Sequence, residues 1–163
     1  MRIILALLLL QACTSDEPVD VTGDYVLALT NGENGCGFAN WTVGATSTGV
    51  TVKFIQMDAG RITVELTDPV LRTYVAIIIG SFIFAGEVSG ASFQATLAGT
   101  REIMEQGKTC KYRVNADIDG SLVRDTISGT ISYRVVVVTP AADCPPDNCA
   151  TLATFNGVRP ALP

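Results

Sequence analysis

From Cys110 to Ile118 the chain reads CKYRVNADI, with Cys110, Tyr112, Val114, Ala116 and Ile118 apolar and every residue between them polar. Successive side chains of an extended strand point to opposite faces, so this pattern gives a segment one dry face and one wet face. The same period of two recurs along the chain. It places Tyr25, Leu27 and Leu29 on one face, and it continues in GVTVKFIQM from Gly49 and RITVELT from Arg61. It returns in EVSGASFQATLAG from Glu87 and DTISGTISYRVVVV from Asp125. Asp58-Ala59-Gly60 and Asp119-Gly120 supply turn chemistry between such runs, Asp68-Pro69 breaks one, and Gly129 marks a bulge.

Two stretches resist the pattern. VLRTYVAIIIGSFIFAG, from Val70, is β-branched and aromatic from Val75 to Ala85, and reads as one buried strand or two strands flanking Gly80. TREIMEQG is the helical candidate, with Thr100 able to cap and Gly107 to stop it. The expectation is an all-β domain, a single antiparallel β-barrel or sandwich of about eight strands, with one short helix. Its boundaries are 22–139, and residues 140–163 form a Pro-rich tail lying over it.

Composition limits function. The formal charge is −5 with no basic run, so a phosphate backbone is repelled and nucleic acid is not an expected partner. No histidine is present, which excludes a Ser-His-Asp triad, a Cys-His dyad and any His-based zinc site within this chain. No enzyme activity and no cofactor are expected.

Met1-Arg2 precedes an unbroken apolar run from Ile3 to Leu10, and Leu10-Gln11-Ala12-Cys13 ends it before a polar TSDEPVD. The run is far shorter than the roughly 20 residues of a membrane-spanning helix and fits the apolar core of a signal peptide. The junction resembles the lipobox of bacterial lipoproteins, with Leu at −3, a small residue at −1 and then the cysteine. That resemblance implies a signal peptide over 1–12, acylation of Cys13 and a tether over 13–21. With Thr14 rather than Asp after the cysteine, it also implies outer-membrane sorting, on the periplasmic or the surface face. Each buried methylene contributes about 0.8 kcal/mol, so two or three acyl chains hold a protein on a bilayer where one would not.

Beyond Cys13, the even set Cys36, Cys110, Cys144 and Cys149 suits an oxidising compartment and two disulfides. Four cysteines permit three pairings. CPPDNC offers a short Cys144–Cys149 loop stiffened by Pro145 and Pro146, which leaves Cys36 with Cys110; this is the pairing expected.

Asn115, Asp117, Asp119 and Gly120 stand at positions 1, 3, 5 and 6 of an EF-hand-like calcium loop. Position 12, however, is Thr126 where a bidentate Glu belongs, and strands flank the stretch. The expected reading is therefore the outward face of a β-hairpin and no metal, with the calcium loop as its rival. Glu65, Glu87, Glu102 and Glu105 are scattered surface acids, and Trp41 reads as a plug at a barrel end.

Phe84, Gly86, Val88, Gly90 and Phe93, followed by Ile118, Gly120, Leu122, Ile127, Gly129 and Ile131, share a rhythm similar to the meander of lipocalin-like, calycin-type barrels. That likeness implies a cavity for a small apolar ligand. The expected function is a cell-envelope lipoprotein acting as a binding or structural module, with the membrane as partner through its anchor. An envelope protein is a further expected partner. The alternative is a carrier of a small apolar ligand.

Overall fold

The computed structural model describes residues 17–57 and 60–160. Eight strands, β1 Gly23–Asn34, β2 Thr46–Gln56, β3 Arg61–Leu66, β4 Ile83–Ser89, β5 Ser92–Leu97, β6 Lys111–Val123, β7 Thr126–Thr139 and β8 Ala150–Val158, close into one antiparallel barrel. Each strand pairs with the next in sequence and β8 returns to β1. Closure leaves no edge strand. The turn at Asp58-Ala59 lies outside the described residues.

Period two does the sorting. Val114, Ala116 and Ile118 of β6 and Ile127, Ile131 and Val135 of β7 are buried, and the positions between them carry Asp117, Asp119 and Arg134 outward. Lys53 and Gln94 are likewise exposed. The barrel is dry inside, and its outer face mixes these polar residues with exposed Val26, Ile55, Val136, Val138, Leu152 and Val158.

The meander gives the barrel two unlike poles. At the base, short turns join β4 to β5 and β6 to β7, and Met57 N–H donates to Arg61 O at 2.7 Å where β2 gives way to β3. There Tyr25 packs edge-to-face on Phe54 at 5.2 Å and Phe54 on Phe93 at 5.1 Å, with Phe155 6.3 Å beyond. Gly120 and Gly129 face each other across β6 and β7 in unbroken register. A Cβ on Gly120 would meet the Phe93 ring at 2.5 Å, and one on Gly129 would meet Phe155 at 2.7 Å. These glycines are notches for rings. Neither the Asp119-Gly120 turn nor the Gly129 bulge forms, and the chain turns instead after Val123, with Arg124 at φ 58°.

Of the tether expected over 13–21, Val19 and Val21 are tied to the barrel. Val19 N–H donates to Gly90 O at 2.9 Å, and Val21 is fully buried with its N–H on Gln56 Oε1 at 2.9 Å. Tyr25 donates its hydroxyl to Val21 O at 3.0 Å. Together they strap the base shut.

At the opposite pole, the crown, long loops carry the helix and the disulfides. The apolar stretch expected as a strand is α1, Pro69–Ile78, followed by β4. Asp68 Oδ1 accepts from Val70 and Leu71 N–H at 3.1 and 2.8 Å, and Pro69 occupies the first turn, where no N–H is missed. Gly80, at φ +100°, ends the helix against Thr100. Residues 100–107, expected as the helix, form an irregular loop that turns at Gln106-Gly107, with Ile103 exchanging backbone hydrogen bonds with Tyr112 at 2.8 and 3.1 Å.

The tail expected to lie over the domain instead contributes β8, the strand that closes it. Closure also decides the disulfides, which are Cys36–Cys149 and Cys110–Cys144 rather than Cys36–Cys110 and Cys144–Cys149. The β1–β8 register sets Asn34 against Thr151 and so brings Cys36 to Cys149. The β6–β7 register sets Lys111 against Thr139, which brings Cys110 to the loop bearing Cys144. All four join a small core with Tyr112, Val114 and Val135.

Peptide mapping without reduction is expected to yield Cys36 joined to Cys149 and Cys110 joined to Cys144. Cys36–Cys149 spans 113 residues, and its Ser/Ser double variant is expected to lose about 3–5 kcal/mol of stability in urea titration.

Candidate functional site

Inside the barrel, between the ring-filled base and α1, lies a cavity of about 100 Å³. Strand residues including Leu27, Val52 and Ile131 wall it, and Leu71 and Val75 of α1 with the following Ile79 roof it. The roof is light: α1 buries none of its own ten residues completely. Its inner face, Leu71, Val75 and Ile78, packs on the core, while Val70, Tyr74 and Ile77 are exposed. Ile79 O, which accepts from Thr100 N–H at 2.8 Å, fixes the helix end to the loop after β5. Arg72 lies 3.9 Å over the Phe82 ring and 3.6 Å from Glu65, on the outer side.

Tyr133 of β7 also lines the cavity and packs against both the main core and the disulfide core. Its ring meets Trp41 edge-on at 5.7 Å. Trp41 is half-buried against the core at the crown, as a plug should be, with Nε1–H on Gly32 O at 3.0 Å. By area Tyr133 is only partly buried, yet loss of water around its hydroxyl pushes that group's pKa up to about 12.

A second, polar cleft of about 290 Å³ opens between the disulfides, bordered by Glu105, Lys108, Tyr112 and Asp143. Three of these groups are already paired with one another or with Thr109. Tyr112 donates to Glu105 Oε1 at 3.1 Å, and Asp143 accepts from Thr109 N–H at 2.8 Å and from its hydroxyl at 3.1 Å. The N–H bond is the chief cause that holds the Asp143 carboxyl below the usual range.

The remaining sequence candidates do not converge. Asn115, Asp117 and Asp119 lie along the outward face of one straight strand, not around a loop. Asn115 Oδ1 accepts from Gly99 N–H at 2.8 Å, and Asp117 takes Thr96 Oγ1 at 3.0 Å and Arg134 Nε at 3.2 Å. Among the described residues no three His, Cys, Asp or Glu side chains gather as a metal site. Glu102 pairs with Arg113 at 3.2 Å, Glu65 with Arg72, and Glu87 stands across from Arg61. Cys13 lies outside the described residues.

Sequence reasoning missed the roof and Tyr133. The signal for the first was Asp68-Pro69 followed by Leu71, Val75 and Ile78 at helical spacing and then Gly80. For the second it was Tyr133 in phase with Ile131 and Val135. No protein-family model, curated protein or solved structure matches the chain.

The tyrosines make the desolvation measurable. Burial, reinforced at Tyr112 by Glu105, raises Tyr112 and Tyr133 to about 12. Groups raised in the folded state stabilise it fully below the unfolded value near 10 and lose that contribution as pH climbs to about 12. Stability is expected to fall across pH 10–12, with these two tyrosines adding tyrosinate absorbance at 295 nm only toward the top of that window. Early ionisation of both would contradict their burial.

Proposed function

We propose that the chain is a cell-envelope lipoprotein whose barrel is a binding module held to a membrane through acylated Cys13. The observation that carries this reading is the polarity of the barrel. Val19 is tied to the base, and from Cys13 to Val19 the chain can reach about 20 Å at most. A lipid on Cys13 keeps the base near the bilayer and turns α1 and the disulfide-bound loops away from it. The two disulfides suit an oxidising compartment outside the cytoplasm. Among the described residues no helix is long and apolar enough to cross a membrane, so the attachment proposed is the lipid.

The cavity favours a second reading, a carrier of a small apolar ligand. Eight-stranded up-and-down barrels hold one small ligand in their interiors, and this one keeps apolar space beneath a light roof on the pole facing away from the anchor.

In bacterial cells fed a clickable palmitate analogue, the wild-type chain is expected to take up label and fractionate with membranes. Cys13→Ser is expected to lose the label and keep its uncleaved leader. Equal labelling of the two would sink the lipoprotein reading.

A further inference from the structure

The cavity wall is hydrocarbon apart from one side chain. Tyr133 brings the single side-chain polar group to a lining otherwise made of Leu, Val, Ile and Phe. The other two tyrosines in the core have hydroxyl partners, Tyr25 on Val21 O at 3.0 Å and Tyr112 on Glu105 at 3.1 Å. The Tyr133 hydroxyl makes no hydrogen bond with any described residue. Polar groups next to it are already engaged: Trp41 Nε1 with Gly32 O, and Thr151 Oγ1, across the β7–β8 pair, with Cys36 N–H at 3.1 Å and Asn34 Oδ1 at 3.3 Å. That hydroxyl is not sealed off: among the described residues the buried side-chain polar atom without a partner is Arg113 Nε, so the Tyr133 oxygen keeps accessible surface, as a group facing open cavity space does.

We propose that the cavity binds a small neutral molecule, mostly hydrocarbon and bearing one hydrogen-bonding oxygen, with that oxygen paired to the Tyr133 hydroxyl. The class is that of short alcohols, phenols and ketones. The inference rests on the carrier reading and adds the polar anchor and the exclusion of charge. A carboxylate or ammonium would be stripped of water with no counter-ion in the lining, because Arg72 and Glu65 pair with each other outside it. Size sets the upper bound. An apolar cavity of about 150 Å³ holds benzene, so about 100 Å³ suits roughly four non-hydrogen atoms, and a ring enters only as α1 shifts outward. Entry is past α1, since the strap and the aromatic rings close the base.

Benzene and phenol differ by the single oxygen and serve as probes, followed by methyl NMR of the purified protein. Both are expected to shift the methyls of Leu27, Val75 and Ile131, with phenol the tighter. Tyr133→Phe is expected to weaken phenol about fivefold, as for one hydrogen bond, and to leave benzene within about twofold. Val75→Trp, which fills the cavity, is expected to abolish both. If Tyr133→Phe weakens the two probes equally or neither, the polar anchor is overturned while the carrier reading stands. If neither probe moves the cavity methyls of the wild type, the carrier reading falls and takes the anchor with it. Should Tyr133→Phe not fold, the wild-type Tyr133 ring carbon bearing the hydroxyl decides the matter. A shift with phenol and not with benzene supports the anchor, and the same response to both overturns it.

Discussion

The pairing of β1 with β8 is the constraint on which the molecule depends. It joins residues more than a hundred positions apart, Val26 to Val158 and Asn31 to Ala153. Without it the sheet has two edges and an open interior. With it, every strand has two neighbours and the apolar faces turn inward. The seam also holds Thr151, fully buried, whose hydroxyl accepts from Cys36 N–H and donates to Asn34 Oδ1 in one small network. The Cys36–Cys149 bond then fastens the seam covalently at the crown. Such non-local pairing brings a loop-closure penalty early in folding, and a link that shortens the unfolded loop acts on that penalty directly.

Tight packing and open space are divided between the poles. Short turns, four stacked rings, glycine notches and the Val19–Val21 strap give the base an interior with no room to spare. The crown has long loops, and its order comes from a second core around two disulfides and from a helix that packs with one face only. On the lipoprotein reading proposed above, a module tethered by its base would turn the crown outward. The same division explains why the cavity sits where it does: the rings end at Phe54 and Phe155, and above them the barrel is roofed by aliphatic side chains of α1 rather than filled.

Much of this was legible as alternation. β2, β3, β5, β6 and β7 can be read from period two because each has one buried and one wet face. The Asp68-Pro69 break was legible too, but its meaning was not. A run of Val, Ile and Phe raises strand propensity, and the cap, Pro at the first turn and Gly80 outweigh it only once the helix can lay Leu71 and Val75 over an open barrel mouth. β8 was hidden by its surroundings, since ATLATFNGV alternates as cleanly as β6 but follows a proline-rich loop. Missing it hid the seam, and the disulfide pairing is a consequence of the seam. The calcium-like spacing failed for a simple reason. Positions 1, 3 and 5 converge in a loop and line up in a strand, and the buried Ala116 and Ile118 between them make this a strand.

Two features meet beneath α1. At roughly 24 cal/mol per Å³, an empty space of about 100 Å³ costs the fold about 2 kcal/mol. The Tyr133 hydroxyl, paired with no described residue, is the one polar side chain in the same lining. Slightly larger aliphatic side chains at Val75 or Val52 would remove the empty space, and Phe at position 133 the polar group. The sequence adopts neither. On the carrier reading proposed above, a molecule with a hydrocarbon body and one oxygen would fill the space and pair the hydroxyl in a single event, and its binding energy would include what the empty barrel forgoes.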